Sequence, residues 1–322
     1  MANSTLSDPL NWFTSVLMTV NAVFGIVCNV IIINNVAKSA TERTSFNLIC
    51  AARAIANVII LGLGFLSLFV PLTIYGDTLF PPVHHAIVIT IINSLYTGLQ
   101  NCGVLIAINR FCAMFFSIQY SRYFTPTVTF FAILLLLSYR IFRMGQDIVQ
   151  NIETQCFSTY SSEFLTWFPT RDPNCRNKYA DVVDGTVILL VALVLINIAT
   201  FVKIYLFYKS TEMDSKEIRN RIRKNRIMFS QTIIQDLNYC IDMLFTFKLS
   251  TISSSRIWTF ISGSLIWECV HSSDGLIMIM FNEKLTFLKR SFFSASSPSS
   301  SVAPQQSPVI LVSSPRSPAP IG

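Results

Sequence analysis

Seven apolar stretches, most of them about 20 residues or longer and poor in charge, decide what this chain can fold into. They run Trp12 to Val36, Phe46 to Ile74, Ala86 to Phe116, Thr127 to Met144, Val182 to Tyr208, Met228 to Ser250 and Ile257 to Phe281. A helix needs about 20 apolar residues to cross the hydrocarbon core. Lipid offers backbone groups no hydrogen-bond partners, so a crossing segment must satisfy itself as a helix. The fold class is therefore all-α, a seven-transmembrane helix bundle. The fourth stretch is short and ends in Arg140 and Arg143, and the sixth carries Asp236 and Asp242. Composition points the same way. Only 13% of the 322 residues are charged and 52% are hydrophobic, whereas soluble domains average about 25% charged.

Orientation follows from the loops. Lys38 and Arg43, then Arg122, then the run from Lys209 to Arg226, then Lys284, Lys289 and Arg290 alternate with loops poor in cations. Cations mark the cytoplasmic side, which places the N-terminus outside and the C-terminal tail inside. The net charge of +7 thus reports topology, not a nucleic-acid partner, and no nucleic-acid-reading motif accompanies it. Met1 to Asn11 contains no Lys or Arg, and the first run is too long for a cleavable signal core. It reads as a span whose N-terminus is translocated.

Two outer features agree with this orientation. Asn3-Ser4-Thr5 is a glycosylation sequon. Cys156 and Cys175 lie in the long outer loop, where an oxidising environment permits a disulfide. After Arg290 the chain turns to Ser and Pro, a composition that cannot offset its own ordering entropy. Residues 1–290 form the membrane domain and 291–322 a disordered cytoplasmic tail.

Arg110 sits near the inner end of the third span, in Ala107-Ile108-Asn109-Arg110-Phe111, with Tyr120 ten residues on. An arginine there is either a snorkelling anchor or something more specific. The pattern resembles the Asp-Arg-Tyr region of rhodopsin-like G-protein-coupled receptors. Asn29 in the first span and Asp274-Gly275-Leu276-Ile277-Met278 in the seventh fit the same family, and Asn282 to Arg290 has the character of its short amphipathic eighth helix. Cys-Trp-x-Pro is missing from the sixth span, and His85 stands where a cysteine usually ties the outer loop to the third helix. A Cys156–Cys175 bridge within the loop would replace that tie.

Arg53-Ala54-Ile55-Ala56-Asn57, the Arg110 segment, Gln231 to Asp236, and Trp267 through His271 to Asp274-Gly275 together resemble nematode serpentine chemoreceptors, most closely serpentine receptor class x. The resemblance implies a receptor for an odorant or other small molecule, in the plasma membrane of sensory-neuron cilia, coupled to a heterotrimeric G protein. Arg110 would act in coupling, with Arg219, Arg223 and Lys224 in a basic stretch that serves as a docking surface, as a lipid-attracted helix end, or both.

The receptor fold makes the second and seventh helices neighbours. At 1.5 Å per residue, Arg53 and Asp274 each lie roughly 10 Å above the inner ends of their spans. They are expected to form an intramembrane ion pair unless each meets backbone or water separately. Tyr96, Asp242, Trp267 and Glu268 lie at or above the midplane and are the ligand-binding candidates, with interhelical packing as the alternative fate.

The competing function is a secondary transporter or ion channel using the intramembrane carboxylates, although no internal repeat of the transporter kind is present. An enzyme is not expected. The three histidines have no metal-ligand spacing, and neither a P-loop nor a nucleophile elbow occurs. Nothing in the sequence calls for a cofactor.

Overall fold

The computed structural model describes residues 7–169, 173–210, 216–282 and 285. Asn3, the segment proposed as an eighth helix apart from Asn282 and Leu285, and the tail 291–322 lie outside the described residues. So do the side chains of Arg219, Arg223 and Lys224, although their backbone is helical.

Seven long helices run α1 (Pro9–Lys38), α2 (Ser45–Tyr75), α3 (Pro82–Phe115), α4 (Pro126–Thr154), α5 (Pro173–Ser210), α6 (Lys216–Phe247) and α7 (residues 256–281). The starts are written locally. Asp8, Thr44, Thr125 and Ser255 each accept a hydrogen bond from a first-turn backbone N–H, satisfying donors that a helix leaves open. Pro9, Pro82 and Pro126 occupy first-turn positions where a missing N–H costs nothing.

Length and hydropathy mark α1 to α4 and the Val187–Leu206 portion of α5 as membrane-crossing. The other two members of the bundle, α6 and α7, carry Asp236, Asp242, Glu268 and Asp274, all of them buried. Polar groups lie inside and large apolar side chains outside, with Phe13, Val20, Leu135 and Ile188 each more than half exposed. That is the arrangement lipid selects.

The fourth helix corrects the sequence reading. It does not end near Met144 but continues to Thr154. Arg140 lies within it and donates to the Ser94 hydroxyl of α3 at 3.3 Å, and Asn151 donates to Thr90 at 3.0 Å. A cation that reaches a partner helix does not have to end its own.

Two helices widen into π turns, Ile60–Phe69 in α2 and Phe260–Leu265 in α7. In α2 the cause stands just beyond the widened stretch. Pro71 has no N–H and would clash with the carbonyl four residues back, and a wider turn relieves the conflict.

Two apolar clusters fill the bundle, an outer one around Met18, Phe65, Phe69, Ile92 and Trp267 and an inner one around Ile32, Ile49, Ala54, Ile106 and Ile279. A polar layer separates them. There α1 and α7 approach so closely that a Cβ on Gly275 would lie 2.8 Å from Asn29. Small residues permit this contact, and packing of this kind holds helices together in lipid.

Outside the membrane, the loop between α4 and α5 forms an antiparallel hairpin of β1 (Ser158–Ser161) and β2 (Thr166–Pro169), with Ser158 opposite Pro169 and Tyr160 opposite Trp167. The Cys156–Cys175 disulfide closes its base.

Candidate functional site

The polar layer is built from residues spaced to share a helix face: Arg53 and Asn57 four apart on α2, His271 and Asp274 three apart on α7. Arg53 is fully buried. Its Nη2 donates to Asp274 Oδ1 at 2.8 Å and its Nε to Oδ2 at 3.3 Å. Asp274 also accepts from Asn57 Nδ2 at 2.8 Å and from Gln235 Nε2 of α6 at 2.6 Å. One carboxylate thereby collects donors from two further helices.

Because the Asn57 amide nitrogen is committed to Asp274, its Oδ1 acts as acceptor. His271 Nδ1, 2.9 Å away, must carry the proton. Asn29 of α1 completes the layer, donating to the carbonyl of His271 at 3.2 Å. Four helices are tied at one depth. A buried charge is tolerated only when paired and hydrogen-bonded, and both ions here meet that condition. Beside them, Asp236 accepts from Asn197 of α5 at 2.6 Å.

Above this layer the structure divides the ligand candidates. Tyr96 donates to Asp242 Oδ2 at 2.7 Å, and its ring lies 6.2 Å from that of Trp267. These three residues share one region. Glu268 does not. It is fully buried against Asn21 and Ala22 of α1, and neither carboxylate oxygen closes a hydrogen bond of ordinary geometry. Consecutive helical residues point about 100° apart, so Trp267 and Glu268 face different neighbours.

The β1–β2 hairpin in the long outer loop supplies the roof. Trp167 lies 4.7 Å from Trp267 and 5.4 Å from Phe69, ring to ring, while its strand partner Tyr160 stacks on Phe69 at 4.8 Å. Tyr160 also meets Thr73 at 2.7 Å. The Thr73 hydroxyl donates to the Phe69 carbonyl, so the tyrosine is the donor. Burial raises the Tyr160 phenol above its ordinary pKa, which keeps that proton in place. On α7, a Cβ at Gly263 would lie 2.4 Å from Thr166, so only glycine admits the strand there.

Arg256 fastens the roof. It pairs with Asp8, bonds Asn11 of α1, and donates to the carbonyls of Ser162 and Glu163 in the hairpin turn. The hydrogen bond from Arg256 holds the Asp8 carboxyl below its usual range. A signal for the hairpin was present: two short Ser/Thr/aromatic runs, Ser-Thr-Tyr-Ser and Thr-Trp-Phe-Pro, flank four residues.

Below the layer, Arg110 is 7% exposed and sits over the Phe46 ring at 4.9 Å. None of its three guanidinium nitrogens has a hydrogen-bond partner. It lines a cavity of about 50 Å³ with Asn109, Tyr120, Thr200, Met228 and Phe229. Tyr120, ten residues on, thus reaches the same cavity. Among the described residues no group of three or more His, Cys, Asp or Glu side chains is placed to hold a metal.

Residues 19–282 match the family described as serpentine type 7TM GPCR chemoreceptor Srx. The chain belongs to the Srx family. The match begins within α1 and ends at Asn282, the residue that follows α7, so it contains the polar layer, the roof and the Arg110 cavity of this Srx chain. It is a seven-transmembrane chemoreceptor of the membrane, and its disulfide ties the outer loop at Cys156 to Cys175 in the first turn of α5. No individual curated protein matches it.

Proposed function

We propose that this Srx chain is a G-protein-coupled chemosensory receptor, in which a small-molecule or odorant ligand rearranges the helix bundle from the outer side. The observation that carries the reading is the buried polar layer. Asn29, Arg53, Asn57, Gln235, His271 and Asp274 tie α1, α2, α6 and α7 through one carboxylate and its neighbours. A shift of α6 or α7 cannot stretch such a network continuously, because hydrogen bonds weaken steeply with angle and distance. It must exchange partners, which makes the layer a two-state element of the kind receptors need.

The ligand's place is the region of Tyr96, Asp242 and Trp267, with Trp167 of the hairpin filling the space above. Glu268 belongs instead to the α1–α7 seam and would act through it. On the inner side Arg110 carries coupling, and Arg219, Arg223 and Lys224 present positive charge to the G protein. The receptor would work in the plasma membrane of sensory cilia.

A panel of small molecules applied to cells expressing the chain, read by second messengers, tests this. An Arg110→Ala variant at equal surface density should lose the response. A ligand that drives ion or solute flux without any G-protein response would favour a channel or transporter using the buried carboxylates and sink the receptor reading.

A further inference from the structure

The inner halves of α5 and α6 separate to leave a crevice of about 640 Å³ that faces the lipid, lined by Phe201, Tyr205, Phe229, Ser230, Ile233 and Ile234. Its walls are apolar and outward-facing, Phe201 and Tyr205 being more than half exposed. Behind it lies the Arg110 cavity, and the two share Ile204 and Phe229 as a common wall. Phe201 and Phe229, stacked 5.8 Å apart, bridge the two helices at this level.

Arg110 is five residues from the end of α3, about 8 Å at 1.5 Å per residue. Here a guanidinium that is 93% buried, with no hydrogen bond to any of its nitrogens, lines a small cavity parted from the open apolar slot only by Ile204 and Phe229. Asp236 and the Phe46 ring offset its charge only at a distance, and a buried charge that makes no hydrogen bond is costly. The facing ends of α5 and α6 add Lys209, Lys216, Arg219, Arg221, Arg223, Lys224 and Arg226, a polybasic stretch on the cytoplasmic side that attracts anionic lipid.

We propose that an anionic lipid of the inner leaflet binds between α5 and α6, its acyl chain in the crevice and its headgroup oxygens on Arg110. The phosphate or carboxylate accepts the hydrogen bonds that the protein does not offer this guanidinium, and Arg geometry suits both. Aliphatic chain and aromatic wall supply the remaining contact. The inference stands on the inner cavity alone and does not depend on G-protein coupling.

The full chain, purified in detergent without G protein, would be mixed with phosphatidylglycerol, phosphatidylcholine or inorganic phosphate, and retained lipid counted by native mass spectrometry. Phosphatidylglycerol should be retained about tenfold or more over phosphatidylcholine, whose phosphate already carries its own choline cation and so brings Arg110 no net counter-charge. Arg110→Gln should erase that preference, and Arg110→Lys should keep most of it. Ile234→Trp, a change at a lipid-facing residue that spares the core, should displace the chain and lower retention even if Arg110→Gln fails to fold. Equal retention of both lipids, or a preference unaltered in Arg110→Gln, would overturn the proposal. Inorganic phosphate that raises thermal stability as far as phosphatidylglycerol does would also overturn it, leaving an anion site with no lipid.

Discussion

Asp274→Leu is the most demanding perturbation of the polar layer. It deletes the acceptor for Arg53, Asn57 and Gln235 at once and leaves the Arg53 guanidinium charged in a place with no solvent exposure. Removing one partner of a buried ion pair costs about 3 to 5 kcal/mol. At about 2 to 4 °C per kcal/mol for a large chain, the melting midpoint should fall by roughly 6 to 20 °C. The double variant Arg53→Met with Asp274→Leu removes both ions and returns the site to apolar packing, which is often close to neutral for a buried pair. It does not restore the acceptor lost by Gln235, a deficit of about 1 to 3 kcal/mol that both variants share, whereas Asn57 keeps Asn29 as an acceptor at 3.3 Å. The double variant should therefore melt above Asp274→Leu alone. The assay is thermal unfolding of detergent-purified protein, arranged as a double-mutant cycle. If the two single losses simply add in the double variant, Arg53 and Asp274 are not coupled and the layer is not the organising element of the bundle.

Three further outcomes follow from local geometry. Asp8 has a lowered folded pKa through Arg256, so its contribution is complete above the ordinary carboxyl range and disappears as pH falls through that lowered value, below 3.8. The hydrogen-exchange protection factors of residues 158–169, corrected for the intrinsic rate at each pH, should be flat from pH 7 to pH 5 and fall only under stronger acid, and Asp8→Asn should remove that step. Cys156→Ser opens the base of the hairpin and should cost about 3 kcal/mol, read as reduced surface expression and matched by reductant treatment of the unaltered protein. Gly275→Ala forces a methyl to within 2.8 Å of Asn29; overpacking of that kind costs about 1 to 3 kcal/mol and should show as a lower melting midpoint, while Gly62→Ala, at a position with open space, should leave it unchanged.

The helices were legible because lipid leaves a crossing chain so few options. About 20 apolar residues are required, and loop cations fix the direction. Depth was legible too, since counting along two helices at a constant rise puts Arg53 and Asp274 level, and in the structure their side chains meet there. Direction around the helix axis was harder. Trp267 and Glu268 share a depth, yet their successive positions turn them apart, and only Trp267 joins Tyr96 and Asp242. The outer end of α4 was misjudged for a related reason. Arg140 reads as a terminus when counted as charge, but its long side chain reaches Ser94 while the helix continues beneath it.

The roof was the least legible feature, and the cause is physical. Four-residue strands of Ser, Thr and aromatic residues carry almost no periodic signal, and an isolated two-stranded hairpin is marginal in water. Its order comes from what it lands on: the Phe69 and Trp267 rings below, the Gly263 gap in α7, the disulfide at its base, and Arg256 reaching from α7 to α1. Apart from the disulfide, these partners are separated from the hairpin by about 90 to 100 residues of chain, so no local window contains them. The same dependence gives the roof its functional weight. If the hairpin lifts, Trp167 leaves the aromatic site that the proposed ligand would take. Trp167→Ala should therefore quicken ligand association at unchanged surface expression. A slower association, or none, would mean that the indole forms part of the binding surface and is not its gate.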